Sequence, residues 1–179
     1  CDLTGEPQWM ASIFERVSPL AEETGARLIH CCGFDSIPSD LGVFVAQQSM
    51  MNKHGLFATK VSGRMGRSKG AVSGGTVASM LLAVEQAASD PIAREVLNDP
   101  YGLYPSELSP GSDGPDQRGV RWDDHFGSWT GPFVMAAINS KVVRRSNALA
   151  SLVYGADFSY DESLLVDNRR SGLLMAGGM

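Results

Sequence analysis

The stretch His30-Cys31-Cys32-Gly33-Phe34-Asp35-Ser36-Ile37-Pro38-Ser39-Asp40-Leu41-Gly42 decides how the N-terminal part of the chain is interpreted. It lies between the apolar runs "ARLI" and "VFVA", so it marks a turn between a strand and a helix. Ser36, Ser39 and Asp40 are residue types that begin helices, and Pro38 suits a first helical turn. The free N–H groups of such a helix start can bind an anion or polar ligand, and simple capping is the alternative.

The adjacent cysteines raise two other interpretations, a metal site and a thiol nucleophile. Neighbouring strand residues point to opposite faces, so Cys31 and Cys32 cannot easily share one metal, and no further cluster completes a shell with His30. We therefore predict no metal site. A reactive thiol needs exposure and a depressed pKa, whereas a buried strand predicts that both cysteines are small packing residues.

The first fifty residues predict the order strand, helix, strand, helix. "DLTGE" resembles the end of a strand, and residues 26–32 predict a second, buried strand. A helix is predicted over residues 8–24, with Pro19 kinking or splitting it and Gly25 ending it. Its apolar face consists of Trp9, Ile13, Val17 and Leu20. The second helix runs from Leu41 to about Met51. This order is typical of a parallel α/β sheet, in which ligands bind beyond the carboxyl ends of the strands.

The residue composition and the pattern of predicted elements change after about residue 56. A strand-like piece, "FATKV", is followed by a glycine-rich segment and a helix predicted over 76–88. Residues 98–119 predict a loop because they are rich in Pro, Gly, Ser and Asp. "VRWDDHFGSWTGPF" predicts a strand or hairpin. A last helix is indicated by apolar residues at roughly helical spacing: Met135, Ile138, Val142, Leu149 and Val153.

A second candidate site is Ser73-Gly74-Gly75-Thr76, directly before the third helix. Paired glycines let a ligand approach the backbone, and Thr76 can cap the helix or donate a hydrogen bond. A tight turn that needs glycine is the alternative. The chain contains neither a P-loop nor a G-x-G-x-x-G dinucleotide motif.

Two basic runs and one acidic cluster are weaker candidates. The first run is Lys60, Arg64, Arg67 and Lys69, and the second is Lys141, Arg144 and Arg145. Solvated surface is expected for both, with a clamp for phosphate or carboxylate as the functional alternative. The cluster Asp123, Asp124 and His125 could support acid–base chemistry, but an ordinary polar loop is the expectation.

Composition narrows the function classes. The net charge of −5 disfavours nucleic acid as a partner, because nucleic-acid binders usually present a basic field. The sequence contains no run of about 18 apolar residues, so it predicts no membrane-spanning helix. The first ten residues do not resemble a signal peptide. Three cysteines, two of them adjacent, form no disulfide framework and favour a reducing, cytoplasmic location. The start at Cys1 predicts a fragment of a longer protein.

Four stretches taken together carry a family resemblance. "DLTGE", "HCCGFDSIPSDLG", "SGGTVAS" and "PFVMAAINSKVVRRSNAL" resemble the saccharopine dehydrogenase-like oxidoreductases, and within them the bacterial trans-acting enoyl reductases. The resemblance extends from Cys1 to about Ser159. The combination is specific, whereas each piece alone is a weak signal.

The resemblance implies a fold class and a division into domains. The α/β fold would contain, in residues 1–55, the C-terminal strands and helices of a Rossmann-like parallel sheet. Residues 56–179 would form an incomplete α+β domain with a mixed sheet, for substrate binding or dimerisation. Family members carry their glycine-rich dinucleotide loop in a preceding half, so this chain alone is expected to bind a dinucleotide poorly.

The resemblance also implies a cofactor and site residues. The cofactor would be NADP(H), with NAD(H) as the alternative, and no metal is expected. Catalysis would fall on Asp35 and Thr76, with Asp35 as a polar or proton-handling group. Cofactor contacts are carried over onto Asp2, Thr4, Gly5, Glu6, Phe34, Ser36 and Pro38. Substrate contacts are carried over onto Ser39, Gly74 and Gly75.

The expected function is part of an oxidoreductase that transfers hydride to an enoyl double bond in a lipid or polyketide intermediate. The alternative is a non-catalytic scaffold or lipid-associated binding protein, which could contact a membrane surface. A homodimer is a third expectation, in which exposed apolar residues become buried between subunits: Met50, Met51, Phe133 and Met135.

Overall fold

A computed structural model describes residues 1–66 and 74–169. Within these residues the protein is a mixed α/β structure with five helices and four strands. The helices are α1 (Pro7–Thr24), α2 (Ile37–His54), α3 (Gly74–Ser89), α4 (Pro91–Asn98) and α5 (Ala136–Leu149). The strands are β1 (Lys60–Met65), β2 (Arg121–Asp123), β3 (Ser128–Gly131) and β4 (Ser159–Val166). None of these helices combines the length and apolar character needed to cross a membrane.

The four strands form one sheet in the order β1-β4-β3-β2. β1 is parallel to β4, and β3 is antiparallel to both β4 and β2. The register places Val61 opposite Tyr160 and Gly63 opposite Glu162. Side chains of alternate residues share one face of a strand, so Val61, Gly63, Tyr160 and Glu162 can act together. The expectation of a mixed sheet is confirmed, whereas the domain division at residue 55 stays a prediction.

Helix α5 joins two apolar clusters. Its Ile138 belongs to a cluster with Met10 of α1, Cys31 and Leu103. Its Val143 belongs to a second cluster, which also contains Val43 of α2 and Phe158 and Tyr160 beside or on β4. A helix that contributes to both clusters fixes α1 and α2 relative to the sheet, because burial of apolar surface is the main force that holds such elements together.

Helix α1 is confirmed, but its buried face matches the prediction only in part, since Ile13 and Val17 are half-buried while Trp9 and Leu20 are exposed. Met10 is 1% exposed and packs near Phe14, whereas Trp9 and Leu20 are 44% and 57% exposed. The buried face is therefore rotated by about one residue from the predicted one. The helix is not split, since it continues through Pro19, and it ends at Gly25 with a left-handed φ of 71°. Glycine suits that conformation because it carries no Cβ.

The buried strand predicted over residues 26–32 is wrong. The segment is irregular, and Leu28 and Ile29 are 50% and 52% exposed. Two backbone hydrogen bonds still run alongside the chain start, from Asp2 N–H to Ile29 and from Cys32 N–H to Asp2. A strand needs a continuous row of such bonds, and Cys31 interrupts the row with a positive φ of 57°.

The later elements were predicted with mixed success. The α2, α3 and α5 helices and the β2–β3 hairpin are confirmed, although α2 begins at Ile37 rather than Leu41. Its earlier start follows from Pro38, which occupies the first turn. The α4 and β4 elements were not predicted. The last helix ends at Leu149, so Val153 lies outside it.

The apolar residues expected at a subunit interface are not exposed. Met50, Met51, Phe133 and Met135 are all half-buried within the chain. Met135 packs against the cluster around Met10. The predicted role of these four residues in a dimer is therefore unsupported by their exposure, which the prediction required.

Gly102 provides a test of the packing between α4 and the loop that follows it. A Cβ added there would lie 2.2 Å from the backbone oxygen of Val96. Backbone atoms cannot move aside cheaply, so Gly102→Ala should lower the free energy of unfolding by about 1–3 kcal/mol. Urea denaturation measures the change. Gly119→Ala is the matched control, because a Cβ there meets nothing within 4 Å; equal losses for the two variants would contradict the packing.

Candidate functional site

The turn after the chain start is held together around Glu6. Its carboxylate accepts hydrogen bonds from the Thr4 hydroxyl at 2.5 Å and from the Gly5 N–H at 2.9 Å. It also accepts the Ser79 hydroxyl of α3 at 2.6 Å. The bonds from Ser79 and Thr4 lower the pKa of Glu6. Because Ser79 follows the Gly74-Gly75-Thr76 helix start, the first and third predicted motifs are brought together.

The Asp2 carboxylate also stabilises this turn. One carboxylate oxygen accepts the Thr4 N–H at 3.1 Å, and the other lies 2.5 Å from His30 Nδ1. Burial tends to raise the pKa of Asp2, but the hydrogen bonds from Thr4 and His30 outweigh it and lower the pKa. Asp2 thus links the first motif to the residue that opens the second.

The second motif is divided between surface and interior. A Cβ at Gly33 would lie 3.4 Å from a side-chain methyl of Leu3, so this motif also lies against the N-terminal turn. Phe34 is 86% exposed, and Asp35 is exposed beside it. Ser36, by contrast, is buried. The predicted residues of this motif therefore lie on different sides of the turn, with Phe34 and Asp35 toward solvent and Ser36 toward the interior.

The third motif lies at the start of α3. Gly74 is the first residue of the helix, and Gly75 and Thr76 follow in its first turn. Thr76 is therefore inside the helix rather than at its N-cap position, and its side chain lies outside the described part of the structure. Ser73 is likewise outside the described residues.

Ser36 does not cap α2 with its side chain, although it occupies the N-cap position. Its hydroxyl instead donates to Asn139 Oδ1 of α5 at 2.9 Å. Asn139 Nδ2 donates to the Ser39 hydroxyl at 3.1 Å and to Glu162 Oε2 at 3.0 Å. The simple capping alternative is wrong for Ser36, because its hydroxyl is used in a tertiary hydrogen bond.

Tyr160 completes this buried polar network. Its hydroxyl donates to Glu162 Oε1 at 2.5 Å, and Tyr160 and Glu162 are 3% and 5% exposed. Burial and the neighbouring Glu162 carboxylate raise the pKa of Tyr160 well above its usual range. The phenol therefore stays protonated at neutral pH. A Cβ at Gly63 would lie 2.9 Å from its hydroxyl oxygen, so the glycine makes room for it.

A cavity of about 270 Å³ lies beside this network, between α2 and the β1–β4 pair. Pro38 and Ser39 of the second motif line it, together with the polar Tyr160 and Glu162. Its remaining walls are formed by Gly42, Val43, Val61, Gly63, Arg64, Met65 and Phe133. Apolar walls with a few polar groups are typical of small-molecule sites.

Cys31 lacks the exposure and the low pKa that a nucleophilic thiol needs. Cys31 is 6% exposed, with Sγ 3.5 Å from the sulfur of Met10. Burial raises its pKa to about 11, so the thiol stays protonated and its predicted packing role is confirmed. Cys32 is only half-buried, with Sγ against the Ile29 carbonyl. Across residues 1–66 and 74–169, no group of three or more His, Cys, Asp or Glu side chains could hold a metal.

The basic run on α5 is not a solvated surface, so that expectation is wrong. Lys141 and Arg144 are each 4% exposed. Lys141 Nζ donates to the Asp99 carbonyl at 2.7 Å, and Arg144 Nε donates to Asp113 at 2.9 Å. These cations fasten the loop between α4 and β2. The carboxylate held by Arg144 is thus one of the protein's own.

The other weak candidates are also structural where they are described. The Arg64 guanidinium binds Asp123 at 2.8 Å and also binds Asp161, while Lys60 is exposed. Asp123 further accepts the N–H groups of His125 and Phe126, which shapes the β2–β3 hairpin. Arg67 and Lys69 lie outside the described residues.

Sequence reasoning missed Asn139, Tyr160 and Glu162. The helical period of apolar residues predicts only the apolar face of α5, whereas the helix also buries a polar face. Tyr160 and Glu162 do alternate along "SYDESLLV", and that period of two could have indicated a strand with one chemically distinctive face.

Curated mycobacterial proteins are similar to this chain. A Mycobacterium tuberculosis protein, whose name assigns it provisionally to the trans-acting enoyl reductases, is 43% identical over 171 residues, or 92% of this chain and 41% of the relative. A Mycobacterium bovis protein named trans-acting enoyl reductase is 36% identical, covering 99% of this chain and 44% of the relative. A Mycobacterium ulcerans protein of that name is 38% identical, covering 91% and 41%.

The chain therefore spans about two-fifths of the length of these curated relatives. No protein-family model matches it, and no solved structure matches it. The relatives support the resemblance to the trans-acting enoyl reductases drawn from the sequence motifs.

Asn139 tests the buried network. Asn139→Ala would leave Ser36, Ser39 and Glu162 without its amide, and Ser36 and Glu162 are buried. We expect the free energy of unfolding to fall by about 2–4 kcal/mol, because unpaired buried polar groups are costly. The exposed Asn52→Ala on α2 is the control and should change it by less than about 0.5 kcal/mol. Similar values for both variants in urea denaturation would contradict the network.

Glu6 tests the link between the first and third motifs. Its pKa is lowered in the folded state, so its stabilising effect is present above the ordinary value of 4.5. That effect is lost as the pH falls through the lower folded value. Glu6→Gln should therefore show a shallower fall in unfolding free energy below pH 4.5 than the unmodified protein. Ser79→Ala should reproduce part of this flattening, and unchanged profiles for both would disprove the link.

Proposed function

We propose that this chain forms the substrate side of a nicotinamide-dependent oxidoreductase that reduces an enoyl double bond. The similarity to trans-acting enoyl reductases over at least nine-tenths of the chain is the observation that carries the proposal. The convergence of the first motif with the other two at one edge supports it, because a hydride donor and acceptor must meet at a single place.

The proposed cofactor is NADP(H), with NAD(H) as the alternative. The turn at Gly5 suits the close approach of a flat ring, since a Cβ there would meet nothing within 4 Å. Gly74 at the start of α3 offers the same free space. The 179 residues contain no G-x-G-x-x-G, so the proposal places the pyrophosphate contacts on polypeptide outside them, in a Rossmann-like domain.

When bound, the nicotinamide would supply the hydride, and the residues of this chain would orient the acceptor and handle charge. Thr4, Gly5 and Glu6 form a hydrogen-bonded turn beside the α3 helix start. The N-terminus of a helix favours negative charge nearby, through the alignment of its peptide dipoles. Exposed Asp35 lies on the adjoining turn, where it can exchange protons with water.

The substrate class we propose is a neutral enoyl ester or thioester from lipid or polyketide metabolism, handled in the cytoplasm or at a membrane surface. This class follows from the enzyme name of the relatives and from the apolar walls of the cavity. The exposed apolar residues along α2 are consistent with a lipid-associated setting: Ile37, Leu41, Phe44 and Val45.

The proposal is tested with the complete product of the native gene. Oxidation of NADPH should depend on an added enoyl thioester, and Asp35→Ala and Thr76→Val should each lower kcat/KM at least about tenfold. Asp124→Ala, in the exposed hairpin turn, is the control and should keep full activity. Full turnover in the first two variants would remove those residues from the site.

A complete gene product that fails to bind NADPH or NADH in a fluorescence titration would overturn the reductase proposal. The non-catalytic scaffold would then be the better account of the same fold.

A further inference from the structure

Among the residues that the structure describes, none makes a contact that requires glycine at position 42. It lies in the interior of α2, where glycine destabilises a helix relative to alanine. Its φ is not left-handed, and a Cβ built on it would meet nothing within 4 Å. The fold therefore tolerates a larger residue at this position and gains helix stability from it. A glycine that costs stability and relieves no contact indicates that something outside the fold uses the space.

That space is the cavity between α2 and the β1–β4 pair, which Gly42 lines. Gly63 lies on the opposite wall, where the missing side chain leaves room for the Tyr160 hydroxyl. The absence of a side chain therefore has a different explanation at each of the two positions. Gly63 is explained by a contact within the protein, whereas Gly42 leaves bare helix backbone facing an open volume.

The walls of this cavity favour an apolar ligand. Val43, Val61, Met65 and Phe133 contribute hydrocarbon surface, and Pro38 adds more at the start of α2. The volume of about 270 Å³ is slightly below the range usual for drug-sized ligands. It fits one end of a chain-like molecule better than a bulky ring system.

The polar groups favour a neutral ligand with one oxygen acceptor. Ser39, Tyr160 and Glu162 lie together in the cavity wall, and Asn139 supports them from behind. The Glu162 carboxylate would repel an anion. In the described part of the chain, Arg64 is the one cation that borders the cavity, and its guanidinium is already bound to Asp123 and Asp161. A free carboxylate or phosphate therefore finds no unpaired cation there.

We propose that this cavity binds the enoyl end of a neutral acyl thioester, with its chain against Gly42. Its carbonyl oxygen would accept the Ser39 hydroxyl proton in place of the Tyr160 oxygen, to which Ser39 is hydrogen-bonded in this structure. The identity of the ligand rests on the proposed function. The existence of the site rests on Gly42, the apolar walls and the polar patch formed by Ser39, Tyr160 and Glu162. Tyr160 and Glu162 act as positioning residues, because they hold Ser39 and Asn139 in place.

The test measures binding without any nicotinamide. The N-acetylcysteamine thioester of trans-2-hexenoic acid is titrated into the protein by calorimetry. Gly42→Leu should weaken binding at least about tenfold by filling the cavity, while the thermal unfolding midpoint stays the same or rises. Gln48→Leu, an exposed position on another side of α2, is the matched control and should bind as the unmodified protein does. Hexenoate should bind at least about tenfold more weakly than the thioester.

The proposal fails if the unmodified protein does not bind the thioester, if Gly42→Leu binds it unchanged, or if hexenoate binds equally well. Parallel assays of NADPH oxidation in the complete gene product separate this inference from the proposed function. Binding that Gly42→Leu abolishes, without any turnover, would keep the site and remove the reductase activity. Turnover with unchanged KM in Gly42→Leu would keep the reductase and remove this site.

Discussion

The side-chain amide of Asn139 is the interaction on which the rest of the structure depends. It lies on α5 with 1% exposure and uses its oxygen and its nitrogen in hydrogen bonds. Two of its partners, Ser36 and Ser39, start α2, and the third, Glu162, lies on β4. An amide left unpaired in such a place would be costly, so all three elements must be in position together. The N-terminal motif is thereby fixed to the mixed sheet by hydrogen bonds rather than by apolar contact alone.

Because the Asn139 hydrogen bonds hold the start of α2 against α5 and β4, the candidate site extends in two directions from that turn. At the open end, Glu6 joins the N-terminal turn to α3, and exposed Phe34 and Asp35 stand on the neighbouring turn. At the other end, a partly open cavity extends along α2 to the Tyr160–Glu162 pair. The turn that begins α2 belongs to both ends. A substrate whose carbonyl oxygen binds Ser39 in the cavity would therefore react beside the turn where the three motifs come together.

Much of the helical structure could be predicted from the sequence, because periodicity and end signals such as Gly25 and Pro38 are local. The absence of a strand over residues 26–32 could not be predicted, because a strand is defined by its partner. Among the described residues, Asp2 alone forms backbone hydrogen bonds alongside this segment. The role of α5 was hidden for a related reason. Lys141 and Arg144 are residue types usually found at the surface, yet both are buried. Lys141 donates to the Asp99 backbone carbonyl and Arg144 to the Asp113 carboxylate, and both partners lie in a loop distant in sequence. The motifs contribute Pro38 and Ser39 to the cavity, whereas its Tyr160 and Glu162 lie on β4, which no motif covered.

The central claim is that the cavity beside Asn139 holds the reacting end of an enoyl thioester. The most direct test is nuclear magnetic resonance of protein with labelled valine and methionine methyl groups, saturated with hexenoyl N-acetylcysteamine thioester. The account predicts intermolecular nuclear Overhauser effects from the acyl chain to the methyl groups of Val43, Val61 and Met65. Contacts confined to methyl groups outside the cavity, at the same saturation, would contradict it.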